Sequence, residues 1–265
     1  MVGARVGRAQ PPIVVLVQTG TLLGLGPGVI VSVVVLAAAA AAVHRWALGG
    51  GWLPPLTASL RAVGQLAVVA LLVSQLGRSP WLALGFAALM FAVATATTGR
   101  RVDPARWWWA AAPIAAGVLP ASAALLATGV LPFEGLALIA LVGQQVGGAM
   151  TTASLAGRRV SAELAGRRGE VEAAVALGFE WRAARLLVAR HTARESLVPP
   201  LDQTRTVGTV TLPGAFVGMV LGGASPVDAA IVQLVVLVSL LAVDALAAAV
   251  ALWLCTARGW GQVRE

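Results

Sequence analysis

Seven long apolar stretches constrain this chain more than any other feature of its sequence. A helix needs about 20 mostly apolar residues to cross the hydrocarbon core of a bilayer. Only 11% of the residues are charged, against about 25% in soluble domains. The sequence therefore predicts an all-α, polytopic membrane protein in the lipid bilayer, with about seven transmembrane helices. The stretches are Val29–Val43, Ala58–Leu76, Trp81–Thr98, Trp109–Val130, Glu134–Ala156, Thr206–Gly223 and Val227–Thr256.

The N-terminal residues form the least regular part of this pattern. We interpret 1–28 as a tail in which Pro11–Leu25 is an interfacial lead-in or an extension of the first span, because Gly24, Gly26, Pro27 and Gly28 interrupt its apolar run. No small-residue cleavage site follows a compact apolar core, so the pattern does not favour a cleaved signal. A single transmembrane domain is expected over 29–257, with a loop at 157–204 and a tail at 258–265.

Arginines orient the spans. Fifteen of the 19 basic residues fall in the loops after the first, third and fifth spans and in the C-terminal tail. Positive residues accumulate in cytoplasmic loops. We therefore expect the N-terminus outside and the C-terminus in the cytoplasm of a multi-pass protein of the plasma or inner membrane. Arg5, Arg8 and Arg78 lie on the other side, and Arg61 lies within the second span.

The net charge of +8 does not indicate nucleic-acid binding. The loop between the fifth and sixth spans contains nine arginines but also six acidic residues, which leaves a net charge of +3. Such a mixed surface is unlike a phosphate-binding stripe.

This loop has helical periodicity. Val171, Ala174, Val175 and Gly178 recur at i, i+3, i+4 and i+7, and Gly178 is suited to end a helix. A second amphipathic run, with Trp181, Ala184 and Val188 on one side, is expected to end at Pro199-Pro200. Two short helices are therefore predicted. Their apolar faces could lie on the membrane surface or in a groove of a cytoplasmic partner, and periodicity does not decide between these.

The residues around the sixth span carry a more specific pattern. The string Arg194-Glu-Ser-Leu-Val-Pro-Pro-Leu-Asp-Gln-Thr-Arg-Thr-Val-Gly-Thr-Val-Thr-Leu-Pro-Gly214 is followed by Gly218, Gly222, Pro226, Ala229 and Gln233. It resembles the FetB/YbbM family of metal-export ABC permeases, to which plant aluminium-tolerance half-transporters also belong. Arg61-Ala-Val-Gly-Gln65-Leu and Gly147-Gly-Ala149-Met150 match in order, so the resemblance covers about 29–257.

The resemblance implies the permease subunit of an ATP-binding-cassette exporter for iron or another metal ion. It implies a homodimer that works with two cytoplasmic ATPase subunits, which bind ATP and Mg. The permease itself would bind no cofactor and would not be an enzyme. Its coupling loop, which seats in a cleft of the ATPase, would comprise Glu172, Ala173, Ala174, Leu177 and Gly178.

Three positions depart from the family pattern. Ala215-Phe216 stands where relatives usually carry two methionines, and Gly148 stands where they carry asparagine. Arg205 replaces a lysine and keeps the charge. Methionine sulfur suits soft metals, so its loss weakens the expectation of iron as the cargo.

Polar residues within spans usually face the bundle interior or a water-filled path. We predict that the path involves Arg61, Gln65, Gln144, Met150, Leu212, Pro213, Gly214 and Gln233. Leu212-Pro213-Gly214 should break the sixth helix at this path. Each of these residues also has a purely structural interpretation. The Arg61 side chain could extend to the membrane–water interface, and Gln144 and Gln145 could form hydrogen bonds between helices. The small residues Gly143, Gly147 and Gly148 could serve helix packing alone. Asp244 is expected to have a local partner rather than a role in the path, and Asp202 and Arg205 are expected to anchor the loop at the membrane.

No catalytic constellation or metal cage is apparent from the sequence. His44 and His191 are the only histidines and Cys255 the only cysteine, and no phosphate-binding loop is present. The metal ligands stay unknown at this stage. Three alternatives stay open: a secondary transporter with Asp244 and Arg61 as its ion relay, a family member with a non-metal cargo, and a membrane scaffold for a partner.

Overall fold

The computed structural model describes residues 26–76 and 79–262. The chain divides into two compact units, Met1–Leu71 and Leu72–Glu265. In the first unit α1 spans Pro27–Trp46, and α2 begins at Leu53 and runs to Leu76. Within the described chain α1 buries only Ala41, so its apolar surface is free to face lipid. The predicted lead-in at Pro11–Leu25 lies outside the described residues, as do Arg5, Arg8 and Arg78.

The second unit consists of helices joined by short connections. They are α3 (Pro80–Val102), a 3₁₀ helix (Pro104–Ala110), α4 (Ala111–Ala127), α5 (Gly135–Gly166), α6 (Arg168–Ala176), α7 (Trp181–Glu195), α8 (Val198–Thr206), α9 (Gly214–Leu221) and α10 (Pro226–Arg258). Six helices of the described chain are long and apolar enough to cross a membrane: α1, α2, α3, α4 with its 3₁₀ extension, α5 and α10. The prediction of an all-α polytopic membrane protein is confirmed.

The helices α5 and α10 run in the same direction. Thr152 donates a hydrogen bond to Asp244, and nine residues further along α5 Ser161 donates one to the carbonyl of Trp260, just after α10. The chain between the two helices must therefore return across the bundle. The short helices α8 and α9 lie on this return, and neither is among the six helices of the described chain that are long and apolar enough to cross a membrane.

This return is where the structure corrects the predicted sixth span. Thr206–Gly223 is not one helix, because α8 ends at Thr206 and α9 begins only at Gly214. Between them Gly208 has φ +80° and donates to the carbonyl of Thr211. Pro213, which has no N–H to donate, precedes α9. The break that Leu212-Pro213-Gly214 predicts is present.

Helix ends in the loop also differ from the predicted ones. The helix α5 extends to Gly166, ten residues past the predicted end of the fifth span, and Arg167 interrupts the helical run before α6. Pro199 and Pro200 do not end a helix. They lie in the first turn of α8, where the N–H that proline lacks would have no helical partner anyway.

Charge divides the two ends of the second unit. We call the end at which α3, α5 and α10 terminate the arginine-rich end; it carries Arg100, Arg101, Arg106, Arg158, Arg159, Arg167, Arg168 and Arg258. At the opposite end, the ionisable side chains among the described residues are Glu134 and Asp228. The positive-inside rule places the arginine-rich end in the cytoplasm.

Candidate functional site

A cavity of about 500 Å³ lies among α5, α8, α9 and α10 in the second unit. One wall follows α5 from Gln144 to Leu155, and another follows α10 from Gln233 to Asp244. The remaining boundary comes from α8 and the start of α9. We call this space the central cavity. Its polar side chains are Gln144, Thr151, Thr152, Ser196, Gln203, Gln233 and Asp244.

Asp244 supplies the carboxylate of the central cavity. It is 4% exposed, and its Oδ1 accepts a hydrogen bond of 3.0 Å from Thr152 Oγ1. A Cβ added to Gly148 would lie 3.0 Å from the same oxygen. The glycine at this position, where the family pattern has asparagine, therefore leaves room for the carboxylate. The expected local partner of Asp244 is thus Thr152. Its place in a cavity was missed, because the contact joins residues 92 positions apart and leaves no local sequence pattern.

The three intramembrane glutamines have different surroundings. Gln145 is buried, and its Oε1 accepts a hydrogen bond of 2.6 Å from Ser122 Oγ on α4. This confirms the interhelical interpretation for Gln145, whereas Gln144 lines the central cavity. Gln233 also lines the cavity and is 6% exposed, yet its Oε1 has no hydrogen-bond partner in the part of the chain that the structure describes.

The structure brings together only some of the predicted path residues. Gln144, Pro213, Gly214 and Gln233 all line the central cavity. Met150 does not, because its side chain packs against the buried cluster that contains Ile114 and Val243.

The remaining path residues lie elsewhere. Leu212, in the non-helical connection before α9, is 64% exposed and does not line the central cavity. Arg61 and Gln65 lie one turn apart on α2, in the first unit, and both are exposed.

Small residues serve two purposes along α5. A Cβ on Gly143 would lie 2.8 Å from Met90 Cε on α3, which confirms the packing interpretation there. Gly148 is close-packed against α10. Gly147 instead lines the central cavity, and a Cβ there would meet nothing within 4 Å.

The predicted coupling residues lie at the end of α6 and in the turn that follows. Glu172 and Ala173 are exposed, and the Glu172 carboxylate accepts a hydrogen bond of 3.0 Å from Arg168 Nε. Ala174 is buried against the chain's own core, so it is not available to a partner. Leu177 is 81% exposed.

Gly178 ends this helix as predicted. Its φ is +94°, its N–H donates to the carbonyl of Val175, and the N–H of Phe179 donates to that of Ala174. This pair of hydrogen bonds is the Schellman motif. The motif fixes the direction in which the chain leaves α6, and a side chain at position 178 would be strained.

The apolar faces of α6 and α7 resolve the question that periodicity left open. Ala184 and Val188 of α7 are buried in one cluster with Val171 of α6, Val160 of α5 and Leu254 of α10. The buried part of these faces therefore packs on the chain itself, whereas Trp181 of the α7 face stays exposed. What remains outside is the α6–α7 turn, defined as 177–181, where Leu177, Phe179 and Trp181 are exposed.

The junction residues Asp202 and Arg205 lie on α8. Their closest charged atoms are 3.8 Å apart, and both side chains are more than half exposed, so the pair contributes little to stability. Gln203, which lies between them and lines the central cavity, was missed. Its amide had no motif to identify it.

A second feature that sequence reasoning missed connects the C-terminal residues to the bundle. The Asp103 carboxylate accepts hydrogen bonds from Arg106 Nε and from the backbone N–H of Gly261. Arg106 donates to the carbonyls of Arg258 and Gly259. Burial alone raises the pKa of Asp103, but these hydrogen bonds and the Arg106 charge together lower it below its ordinary value. Residues 259–262 thus pack on the bundle rather than forming a free tail.

In the described residues, no three His, Cys, Asp or Glu side chains converge as a conventional metal site requires. The central cavity offers instead one carboxylate with neutral oxygen donors around it. Such a surface can bind a cation weakly, but it provides no nucleophile paired with a base.

Comparison with known proteins connects these features to a family. The family model described as "Uncharacterised protein family (UPF0014)" matches residues 28–259. The UPF0014 membrane protein STAR2 of Oryza sativa subsp. japonica is 33% identical over 236 residues, which is 87% of this chain and 81% of that protein. No solved structure matches the chain.

Two further relatives agree with the resemblance seen in the motifs. Protein ALUMINUM SENSITIVE 3 of Arabidopsis thaliana is 33% identical over 179 residues, 67% of this chain and 65% of that protein. The protein named "Probable iron export permease protein FetB" of Escherichia coli K12 is 28% identical over 132 residues, 50% of this chain and 51% of that protein. The chain therefore belongs to the UPF0014 family of multi-pass membrane proteins.

Proposed function

We propose that this chain is the permease subunit of an ATP-binding-cassette exporter, and that a separate cytoplasmic subunit hydrolyses ATP. One observation carries the proposal: α7 packs on both α5 and α10, the helices whose membrane portions line the central cavity. A force on the α6–α7 turn is therefore transmitted to the walls of the cavity. The family membership and the permease named among the relatives support this function.

The proposed contact with the ATPase is the α6–α7 turn. Three large apolar side chains, Leu177, Phe179 and Trp181, are exposed there, beyond the arginine-rich end of the bundle. Apolar groups clustered on an exposed turn are typical of a protein interface. Two permeases with two ATPases would complete the transporter.

The proposed cargo is a metal ion, with iron as the first choice, and the proposed direction is export. Both rest on the name of the Escherichia coli relative. The oxygen-lined cavity supports a cation rather than an anion, because no arginine is among its lining residues.

A binding experiment tests the contact. We expect Leu177→Ala to weaken co-purification with the proposed ATPase subunit by about tenfold or more, as for an interface hot spot. Leu187→Ala is the matched control. Leu187 is also an exposed leucine, with an exposed fraction of 65% against 81% for Leu177, but it lies within α7 and away from the turn. Equal binding by the two variants would exclude this docking site.

Reconstitution separates the alternatives. Liposomes that contain both subunits should export iron only with ATP, and Leu177→Ala should reduce ATP-dependent transport without reducing insertion. Transport driven by an ion gradient without the ATPase would identify a secondary transporter. A stable complex without any transport would identify a scaffold, and transport of another solute would identify a non-metal cargo.

A further inference from the structure

The charge of Asp244 has no compensating charge in the described chain. Its carboxylate is buried within α10 and accepts one hydrogen bond, from the neutral hydroxyl of Thr152. No ion pair to an arginine or histidine is formed by Asp244 in the described residues. A carboxylate at membrane depth is costly unless a cation or a proton neutralises it. Either a bound cation or a proton must therefore neutralise Asp244 on this side of the central cavity.

Gln233 provides a second, independent observation. Its side chain is more than nine-tenths buried, lines the same cavity and leaves Oε1 without a hydrogen-bond partner among the described residues. Buried polar atoms in folded proteins are almost always paired. Gln233 and Asp244 are separated by eleven residues, or three turns of α10, so they mark two levels of the cavity about 16 Å apart.

The donors near the carboxylate are all oxygens. Thr152 adds a hydroxyl oxygen to the carboxylate, Thr151 and Gln144 offer oxygens elsewhere in the cavity, and no Cys, Met or His lines the central cavity in the described chain. Carboxylate, hydroxyl and amide oxygens suit hard cations such as Mn²⁺ or Ca²⁺, whereas soft cations prefer sulfur.

We propose that Asp244 and Thr152 form a cation-binding station in the central cavity, specific for a hard, oxygen-preferring cation, and that Gln233 marks a second, uncharged station on the same path. The inference rests on the proposed function only in naming this cation as the transported one. Asp244 supplies the charge, Thr152 positions the carboxylate, and the bare backbone of Gly148 leaves space for it. Water molecules that the cation retains occupy the rest of the cavity.

A single charged ligand has a consequence for affinity. Calcium sites weaken as the number of charged ligands falls, and the weakest have dissociation constants on the order of 10⁻⁴–10⁻³ M. We expect this range here. Weak binding suits a transport path, because a cation must leave the station as readily as it enters.

The test uses the full chain in nanodiscs of zwitterionic phospholipid, without its ATPase, and Mn²⁺ alone as the probe. Electron paramagnetic resonance measures free Mn²⁺ during a titration. We expect binding by the unmodified chain and at least a tenfold loss in Asp244→Asn, which keeps the oxygen that accepts from Thr152 and removes the charge. Asp228→Asn is the matched control on the same helix, because Asp228 is exposed and does not line the cavity.

A second variant guards against misfolding. Gly148→Ala leaves every ligand in place but puts a methyl group 3.0 Å from Asp244 Oδ1, so it should weaken Mn²⁺ binding severalfold. Gly166→Ala, on the same helix with nothing within 4 Å, should not. For each variant, the Mn²⁺-dependent rise in the unfolding temperature reports binding by the folded form.

The outcomes separate this inference from the proposed function. Two results would overturn the site. One is a wild-type affinity for Mn²⁺ in Asp244→Asn. The other is no Mn²⁺ binding by the unmodified chain up to about 10 mM, ten times the weakest expected dissociation constant. If Mn²⁺ binding depends on Asp244 but no ATPase associates, the site stands and the ABC assignment fails. If the ATPase complex transports but Asp244→Asn binds Mn²⁺ normally, the assignment stands and the site fails.

Discussion

Asp103 fixes the C-terminal residues to the arginine-rich end, and its charge should be visible in the pH dependence of stability. Its pKa is lower in the folded chain than its ordinary value, so its stabilising contribution is complete at neutral pH and is lost as the pH falls through the lowered pKa. We expect Asp103→Asn to reduce the free energy of unfolding at pH 7 by about 1–3 kcal/mol. The difference from wild type should shrink below about pH 4.

Thermal unfolding in nanodiscs across this pH range measures the effect. Asp202→Asn is the control, because Asp202 is exposed and its arginine is 3.8 Å away, and it should change stability by less than about 0.5 kcal/mol. If the loss of stability in Asp103→Asn does not change with pH, packing rather than the charge of Asp103 holds the C-terminal residues.

Gly178 allows a prediction about coupling at the level of one dihedral angle. Its φ of +94° is strained for any residue with a Cβ, so Gly178→Ala should reorient the α6–α7 turn at a cost of about 1–2 kcal/mol. ATP hydrolysis by the partner should continue while transport per ATP falls. Gly169→Ala is the control, because Gly169 lies inside α6 with open space around it. The ATPase rate and the efflux rate are measured in parallel for each variant. If transport per ATP is the same in Gly178→Ala and Gly169→Ala, this role of the turn is excluded.

At the scale of elements, the break between α8 and α9 depends on the backbone conformation of one glycine. Gly208 has φ +80°, so Gly208→Ala should distort the connection and reduce transport severalfold while the chain still inserts. Gly218→Ala on α9 is the control, since a Cβ there meets nothing within 4 Å. Efflux from liposomes with matched protein content tests this, and normal efflux by Gly208→Ala would mean that the connection tolerates distortion.

The elements show which parts of the fold a single sequence predicts. Six of the seven predicted spans and the helix stop at Gly178 are confirmed, because apolar length and left-handed glycine are local properties. The extension of α5 to Gly166 was not predicted, because Val160 and Leu164 pack on residues of α7 and α10 that are distant in sequence. The same reason explains the site: Gln144 and Gln233 were predicted as polar residues within spans, but only the fold shows that Asp244 joins them.

At the scale of the whole molecule, the proposed docking of an ATPase at the α6–α7 turn implies reciprocal coupling with the central cavity. If the cation changes the affinity of the permease for the ATP-bound partner, the partner must change the affinity for the cation by the same factor. We expect transported cation to alter the partner's ATPase rate several-fold in the wild-type complex and not in Asp244→Asn. If the cation changes the ATPase rate equally in the wild-type complex and in Asp244→Asn, the central cavity is not coupled to ATP hydrolysis.

The orientation of the whole molecule can be tested by cysteine labelling, since Cys255 is the only cysteine and is buried. Leu177→Cys and Val130→Cys place exposed thiols at opposite ends of the second unit, because the native side chains are 81% and 53% exposed. With fifteen arginines on one side, the positive-inside rule requires the end bearing Leu177 to be cytoplasmic. A membrane-impermeant maleimide should therefore label Val130→Cys in intact cells that lack the ATPase, and Leu177→Cys only in inverted vesicles. The reversed pattern would invert the topology and move the α6–α7 turn away from any cytoplasmic ATPase.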